Sequence, residues 1–220
     1  MAQISDRVNR LAASATFAMM QKSNELSAQG VDVVNMSVGE PDFNTPDYVK
    51  KAAIEAVEQN YSKYSPVPGY MWLRKACSDK LKRENNLDYA PAEILVSTGA
   101  KQSLCNVIMA IINPGDEVLL PSPCWVSYPE MVKLAGGIPV VIKAGIDQDF
   151  KVTAAQVEAA ITPKTKAIMI CSPSNPTGSV YTKEELESIA KVLNKYPDVF
   201  IVSDEIYEHI NFIGRKPKSC

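Results

Sequence analysis

Residues 167–205 have the sequence AIMICSPSNPTGSVYTKEELESIAKVLNKYPDVFIVSDE, which gives the clearest indication of the fold class. It begins with a nearly all-apolar segment (167–171), which is typical of a strand buried on both faces of a sheet. A Thr-x-x-Glu capping box at Thr182 then begins a helix over 183–195. The last segment (199–205) is again apolar and predicts a second strand. A strand, a helix and a strand in this order predict a parallel crossover.

The same alternation extends towards the N-terminus. Strands separated by helices predict an α/β fold, a doubly wound and mostly parallel sheet with flanking helices. The further predicted elements are the strands ILVST (94–98), EVLLP (117–121) and PVVIKA (139–144), and helices over 15–29, 101–112, about 127–135, and from the cap Thr153 to Ile161.

The N-terminal region is predicted to be less regular. Gly30 ends the first helix, and VDVVNMSVG forms a short extended segment that ends at Gly39. Thr45 is predicted to cap a helix with Pro46 in its first turn. The apolar side of that helix comprises Val49, Ala53, Ala56 and Val57, and the next helix has Leu73, Ala76, Cys77 and Leu81 on one face.

Composition excludes several classes of function. The formal net charge is −2, which provides no basic field, so neither nucleic acid nor an anionic membrane is expected as a partner. No apolar run approaches the roughly 18 residues of a membrane-spanning helix. The N-terminal MAQISDRVNR has no signal-peptide core, and the five cysteines form no C-x-x-C pair, so we expect free thiols in the cytoplasm.

Polar and glycine-containing loops follow the predicted strands, and ligand sites in such sheets form at the carboxyl ends of strands. Gly99 begins a helix whose free amides can hold a phosphate, although a tight strand–helix turn is the alternative. Asn175 lies between two prolines, either presenting its amide or forming a rigid turn. Trp125 follows a strand and is either a lid on a planar ligand or a core residue.

Asp204 closes the last apolar strand. A sheltered carboxylate there requires a cationic partner, unless it caps a helix. Tyr207 lies on the same side if a helical turn begins at this point. His209 is the single histidine, and together with Glu205 and Glu208 it makes no recognised zinc spacing, so we expect no metal site.

Five motifs together resemble the successive signatures of fold-type I aminotransferases, nearest to bacterial aspartate aminotransferases. The pair N-P-x-G and D-E-x-Y is the most specific part. The motifs are V-G-E-P-D-F (38–43), S-T-G-A-K-Q (97–102), P-x-W-x-x-Y (123–128), S-P-S-N-P-T-G (172–178) and S-D-E-I-Y (203–207).

The resemblance implies pyridoxal 5′-phosphate (PLP) as cofactor. Asp204 would face the ring nitrogen, which lets the ring take up electrons from the substrate carbon. Asn175 and Tyr207 would hydrogen-bond the ring's 3-oxygen, and Trp125 would stack on the ring. At the phosphate, the resemblance places Gly99, the amides of Ala100 and Lys101, and Tyr64 acting towards a partner subunit.

The resemblance also implies the substrates, an amino acid and a 2-oxo acid, and a homodimer. The backbone of Gly39 would lie beside the substrate carboxylate, with Trp125 and Asn175 nearby. Lys101 would meet a second carboxylate, which favours aspartate-like substrates. Two other functions remain open: a C–S lyase or synthase on the same scaffold, or a non-catalytic fragment.

The resemblance divides the chain into an N-terminal arm with part of a small domain (1–45) and the first part of an incomplete large domain (46–220). The family's lysine, which carries PLP as a Schiff base, follows the aspartate by about thirty residues. Sixteen residues follow Asp204, and Lys216 and Lys218 lie too early, so we expect no catalytic lysine and no activity of this chain alone. We also expect ILVST to lack its neighbouring strands.

Overall fold

A computed structural model describes residues 3–13, 15–36, 39, 43–210, 212 and 214. The chain divides into two compact units. The sheet unit comprises Met1–Ala12, Arg83–Leu87 and Ser97–Cys220, and the helical unit comprises Ala13–Lys82 and Asp88–Val96.

The helical unit contains three long helices. They are α2 (Ala15–Ala28), α3 (Asp47–Glu58) and α4 (Met71–Lys80), and a short 3-10 turn follows at Pro91–Glu93. The first helix is confirmed, and Gly30 follows it with a φ of 81°, a left-handed conformation that favours glycine.

The predicted start of α3 is wrong by one residue. Pro46 is itself the cap, with an extended ψ of 141°, and no side chain caps the helix. Proline occupies this position without loss because the first amides of a helix have no helical acceptor. The predicted cap, Thr45, therefore lies outside the helix.

The apolar side of α3 is not buried within the described residues. Val57 is 76% exposed and Val49 is 41% exposed. The periodicity correctly predicts a helix, although its apolar side is open to solvent among the described residues. The predicted face of α4 is interrupted as well, because Ala76 is exposed and Leu81 begins a π-helical turn (Leu81–Asn85).

Two predicted extended segments do not become strands. Residues 31–36 have no regular structure, and Ser37 and Val38 lie outside the described residues. In ILVST, Ile94 is extended (φ −103°, ψ 128°), but the segment pairs with no strand of the described chain. Its backbone bond runs instead from the Val96 amide to the Pro68 carbonyl (3.1 Å). A strand requires a partner, and ILVST has none among the described residues, so the predicted strand does not form there.

The sheet unit contains the predicted parallel sheet. Four strands lie in the order β2-β1-β3-β4, and every neighbouring pair is parallel. The strands are β1 (Glu117–Ser122), β2 (Ile138–Lys143), β3 (Thr165–Cys171) and β4 (Phe200–Asp204). The helices are α1 (Asp6–Asn9), α5 (Ala100–Ile111), α6 (Ser127–Leu134), α7 (Ala154–Ala160) and α8 (Lys183–Leu193).

Alternate residues of the central strands face two separate cores. Leu119 and Ile168 pack with residues of α7 and α8, whereas Val118 and Met169 pack with residues of α5 and α6. Helices therefore cover both faces, as the all-apolar strand AIMIC predicted, and the doubly wound α/β fold is confirmed.

Candidate active site

The carboxyl ends of β3 and β4 bring two of the predicted loops together. Cys171 is the register partner of Asp204, so the loop that follows β3 begins beside the end of β4. The Ser172 amide donates to the Asp204 carbonyl oxygen at 3.2 Å, which continues the ladder by one further bond. The site is therefore positioned by strand register.

Asp204 is a buried carboxylate, 9% exposed, with two hydrogen-bond donors. The Tyr128 hydroxyl donates to its Oδ2 at 2.7 Å, and the Ile206 amide donates to its Oδ1 at 3.2 Å. Both donors are neutral groups, so the described side chains that hydrogen-bond Asp204 do not supply the expected cationic partner. Hydrogen bonds therefore take the place of an ion pair at this buried charge.

Tyr128 is the site residue for which the sequence predicted no role beyond its place in a motif. It lies on α6 and is 2% exposed. Burial, followed by the nearby Cys171 thiol and Asp204, raises the pKa of the Tyr128 phenol far above its ordinary value. The phenol therefore keeps its proton and acts as a fixed donor to Asp204.

Asn175 and Tyr207 are directly joined. The Asn175 side-chain amide donates to the Tyr207 hydroxyl at 3.1 Å, although the two residues are far apart in sequence. Tyr207 lies in a turn after β4, where the Ile210 amide donates to the Tyr207 carbonyl at 2.9 Å. The predicted turn brings Tyr207 to the loop that carries Asn175.

Trp125 connects the N-terminus of α5 with the Asp204 region. Its ring meets the Tyr128 ring edge-on, with centroids 5.6 Å apart. The Lys101 ammonium lies 4.8 Å from the Trp125 ring centroid, a cation–π contact. Four of the predicted and motif residues, Lys101, Trp125, Tyr128 and Asp204, thus form one continuous chain of contacts.

The N-terminus of α5 has the features that an anion site requires. Gly99 caps the helix with a φ of 81°, which favours glycine, and α5 then begins at Ala100. The amides of Ala100 and Lys101 occupy the first turn, where no carbonyl of the helix can accept from them. These amides, with the helix dipole, could hold a phosphate.

Gly39 and Tyr64 belong to the helical unit. Tyr64 is fully exposed, and of the motif at 38–43 only Gly39 and Phe43 lie within the described residues. The structure therefore does not test their predicted roles.

The sequence of the chain matches a known family. The family described as aminotransferase class I and II matches residues 31–217, and the chain is a member of it. The resemblance inferred from the five motifs is confirmed.

The chain is also similar to individual proteins. The chain is 52% identical over 212 residues to the probable aspartate/prephenate aminotransferase of Rickettsia felis, covering 96% of this chain and 52% of that protein. It is 52% identical to the aspartate aminotransferase of a Bacillus species, covering 96% of this chain and 54% of that protein. A solved aspartate aminotransferase from Thermus thermophilus with maleate is 47% identical, with a TM-score of 0.95, covering 100% of this chain and 57% of that one.

The chain spans about half the length of the curated relatives that it matches. Across the described residues, no helix combines the length and the apolar character that crossing a membrane requires.

Proposed function

We propose that the chain is the N-terminal part of a PLP-dependent aminotransferase that moves an amino group between an aspartate-like amino acid and a 2-oxo acid. The observation that carries the proposal is the buried carboxylate of Asp204, whose described donors are neutral. Tyr207 follows it closely in sequence, and Asn175, which donates to Tyr207, lies in the loop that begins beside the end of the same strand. Such a carboxylate is suited to a ligand that supplies the positive charge itself.

The residues present fit PLP. Asp204 would hold the protonated ring nitrogen, Asn175 and Tyr207 would hold the ring's 3-oxygen, and the first amides of α5 would hold the phosphate. Trp125, half-buried beside Lys101, would offer an aromatic face to the planar ring. When bound, the cofactor supplies an electron sink for the substrate's reacting carbon.

Hydrogen bonds among the chain's own residues orient the polar groups of this site. The Tyr128 hydroxyl fixes Oδ2 of Asp204, and the Ile206 amide fixes Oδ1, so the carboxylate holds one orientation. The Asn175–Tyr207 hydrogen bond holds both polar groups in place before a ligand arrives. Donors that are already oriented need no reorganisation during the reaction, which is the main source of electrostatic catalysis.

Substrate binding is the finer part of the proposal. Gly39, Trp125 and Asn175 would line the substrate, and Lys101 would meet a second carboxylate. Replacing Lys101 by Ser in a full-length version should selectively weaken dicarboxylic substrates, measured as kcat/KM for each substrate class. An equal loss for monocarboxylic substrates would show that Lys101 does not read the second carboxylate.

Further features are proposed from the family and from the names of the relatives. Residues 1–45 would form an N-terminal arm with part of a small domain, and residues 46–220 the first part of the PLP-binding domain. Tyr64 would reach the phosphate of a partner subunit in a cytoplasmic homodimer. The lysine that carries PLP would lie outside the 220 residues, so this chain would bind the cofactor without turning over substrate.

The proposal is tested by cofactor binding. Only two tryptophans are present, so the Trp72→Phe form leaves Trp125 as the single tryptophan reporter. PLP is added, and quenching of its fluorescence is followed to saturation. We expect saturable quenching, and binding at least about tenfold weaker after Asp204→Ala, because a hydrogen bond to a charged group contributes about 1.5–3 kcal/mol.

The matched control is Asp198→Ala, which removes an exposed aspartate that precedes the same strand. Equal affinities of the Asp204 and Asp198 variants would contradict the assigned role of Asp204. Each sample is then treated with borohydride and dialysed. Fixation of the cofactor on a single lysine would contradict the proposal that the lysine lies outside this chain.

A further inference from the structure

A short segment of the helical region belongs to the sheet unit. Residues Arg83–Leu87 cluster with the sheet unit, although Ala13–Lys82 and Asp88–Val96 on either side belong to the helical unit. The segment overlaps the π-helical turn Leu81–Asn85. Single π-helical turns are often associated with functional sites.

The segment contacts the turn that follows β4. The Asn85 side-chain amide donates to Oε2 of Glu208 at 3.0 Å, in a partly buried setting. A second contact joins the same two segments, since the His209 ring lies 3.6 Å from Oε2 of Glu84. The Glu208 side chain is 17% exposed, so water screens the Asn85–Glu208 bond only in part.

The contacted turn carries Tyr207. Glu208 follows Tyr207 directly, and the turn is closed by bonds from the Glu208 amide to Glu205 (3.0 Å) and from the Ile210 amide to Tyr207 (2.9 Å). On its other side, the Tyr207 hydroxyl receives the Asn175 bond at 3.1 Å. Tyr207 is therefore held at its hydroxyl by one loop, while the next residue is held by the π-helical turn.

We infer that Asn85 and Glu208 are positioning residues for Tyr207, an inference that rests on the proposed function of Tyr207 at the cofactor. Neither residue would touch the cofactor or the substrate. Their hydrogen bond fixes the backbone of the turn and thereby sets the position of the Tyr207 hydroxyl opposite Asn175. A side chain locked by supporting bonds keeps the geometry that a binding site needs.

The experiment follows Tyr207 directly, in the cofactor-free chain. The nine tyrosines are labelled with 3-fluorotyrosine, and the ¹⁹F NMR resonance of Tyr207 is identified by its loss in Tyr207→Phe. Asn85→Asp places a carboxylate against Glu208 and should shift and broaden this resonance. Combining it with Glu208→Gln exchanges the donor and the acceptor, so the double variant should return the resonance towards its original position.

Amide exchange provides a second readout. In Asn85→Ala, which introduces no repulsion, the Glu208 and Ile210 amides should exchange at least about fivefold faster, because a hydrogen bond to a charged group is lost. The matched control is Asp88→Asn, which breaks the nearby Lys82–Asp88 ion pair (3.2 Å) and should leave the Tyr207 resonance unchanged.

Three results would overturn the inference. They are an unchanged Tyr207 resonance in Asn85→Asp, a double variant that remains displaced, and an Asp88→Asn effect as large as that of Asn85→Asp. Since no cofactor is present, a failure of PLP binding does not alter this measurement. The inference and the proposed function can therefore fail independently.

Discussion

Replacing Tyr128 by Phe removes one hydroxyl from the centre of the site. The ring is 2% exposed and packs in the core formed with α5 and α6, and a Phe ring can occupy the same space. The lost contact is the 2.7 Å bond to Asp204. The substitution therefore removes this bond to a buried carboxylate, together with the hydroxyl's interaction with the Cys171 thiol, and changes the packing little.

The magnitude follows from burial and charge. A hydrogen bond to a charged group contributes about 1.5–3 kcal/mol, and Asp204 at 9% exposure has little access to water as a substitute donor. We expect Tyr128→Phe to lower the free energy of unfolding by about 2 kcal/mol. In the control Tyr196→Phe, a half-buried phenol is changed on the opposite face of the sheet, and the loss should be smaller.

The assay is urea unfolding followed by circular dichroism, applied to Tyr128→Phe, Asp204→Asn and the double variant. The double-mutant cycle isolates the interaction between the two side chains, which should be at least about 1 kcal/mol. An interaction energy near zero, or a loss equal to that of Tyr196→Phe, would refute the argument that Tyr128 stabilises the Asp204 carboxylate.

Three further predictions concern stability. Burial alone would raise the pKa of Glu130, but hydrogen bonds from Lys133 and from the Ala12 amide lower it below its ordinary value of 4.5. Glu130→Gln should therefore be less stable than the parent near pH 7. The difference in urea unfolding should vanish as the pH falls below 4.5 and through the lowered folded pKa, because the carboxylate stabilises the folded chain only while it is ionised. Thr182→Ala removes the α8 capping box and should lower the free energy of unfolding by about 1 kcal/mol in the same assay. An unchanged unfolding midpoint would count against this prediction. Gly137→Ala should lower the free energy of unfolding by about 1–3 kcal/mol, because the added Cβ would lie 2.7 Å from the Ile112 side chain. An unchanged or raised melting temperature would contradict this.

The prediction from sequence was strongest where local signals and packing agree. The helix cap at Thr153, the capping box at Thr182 and the all-apolar strand that ends at Cys171 are all present as predicted. Prediction failed where the outcome depends on a distant partner. ILVST has the composition of a strand but no neighbour among the described residues, and the apolar side of α3 has a helical period but is not buried.

The site shows the same division. Motif residues Asp204, Asn175 and Tyr207 were predicted from their positions after strands, but the donor to Asp204 was not, because Tyr128 is separated from it by 76 positions. The Asn85–Glu208 bond spans 123 positions and has no local signal at all.

The α/β class, the helix boundaries at Gly30, Thr153 and Thr182, and the resemblance to the aminotransferases could be read from the sequence, because they depend on residue type and short spacing. Three features required the folded chain: the neutral groups that hold Asp204, the position of Lys101 over Trp125, and the pairing of the strand edges. Each of these is a contact between residues far apart in the chain, and its geometry depends on strand register and helix packing rather than on local preference.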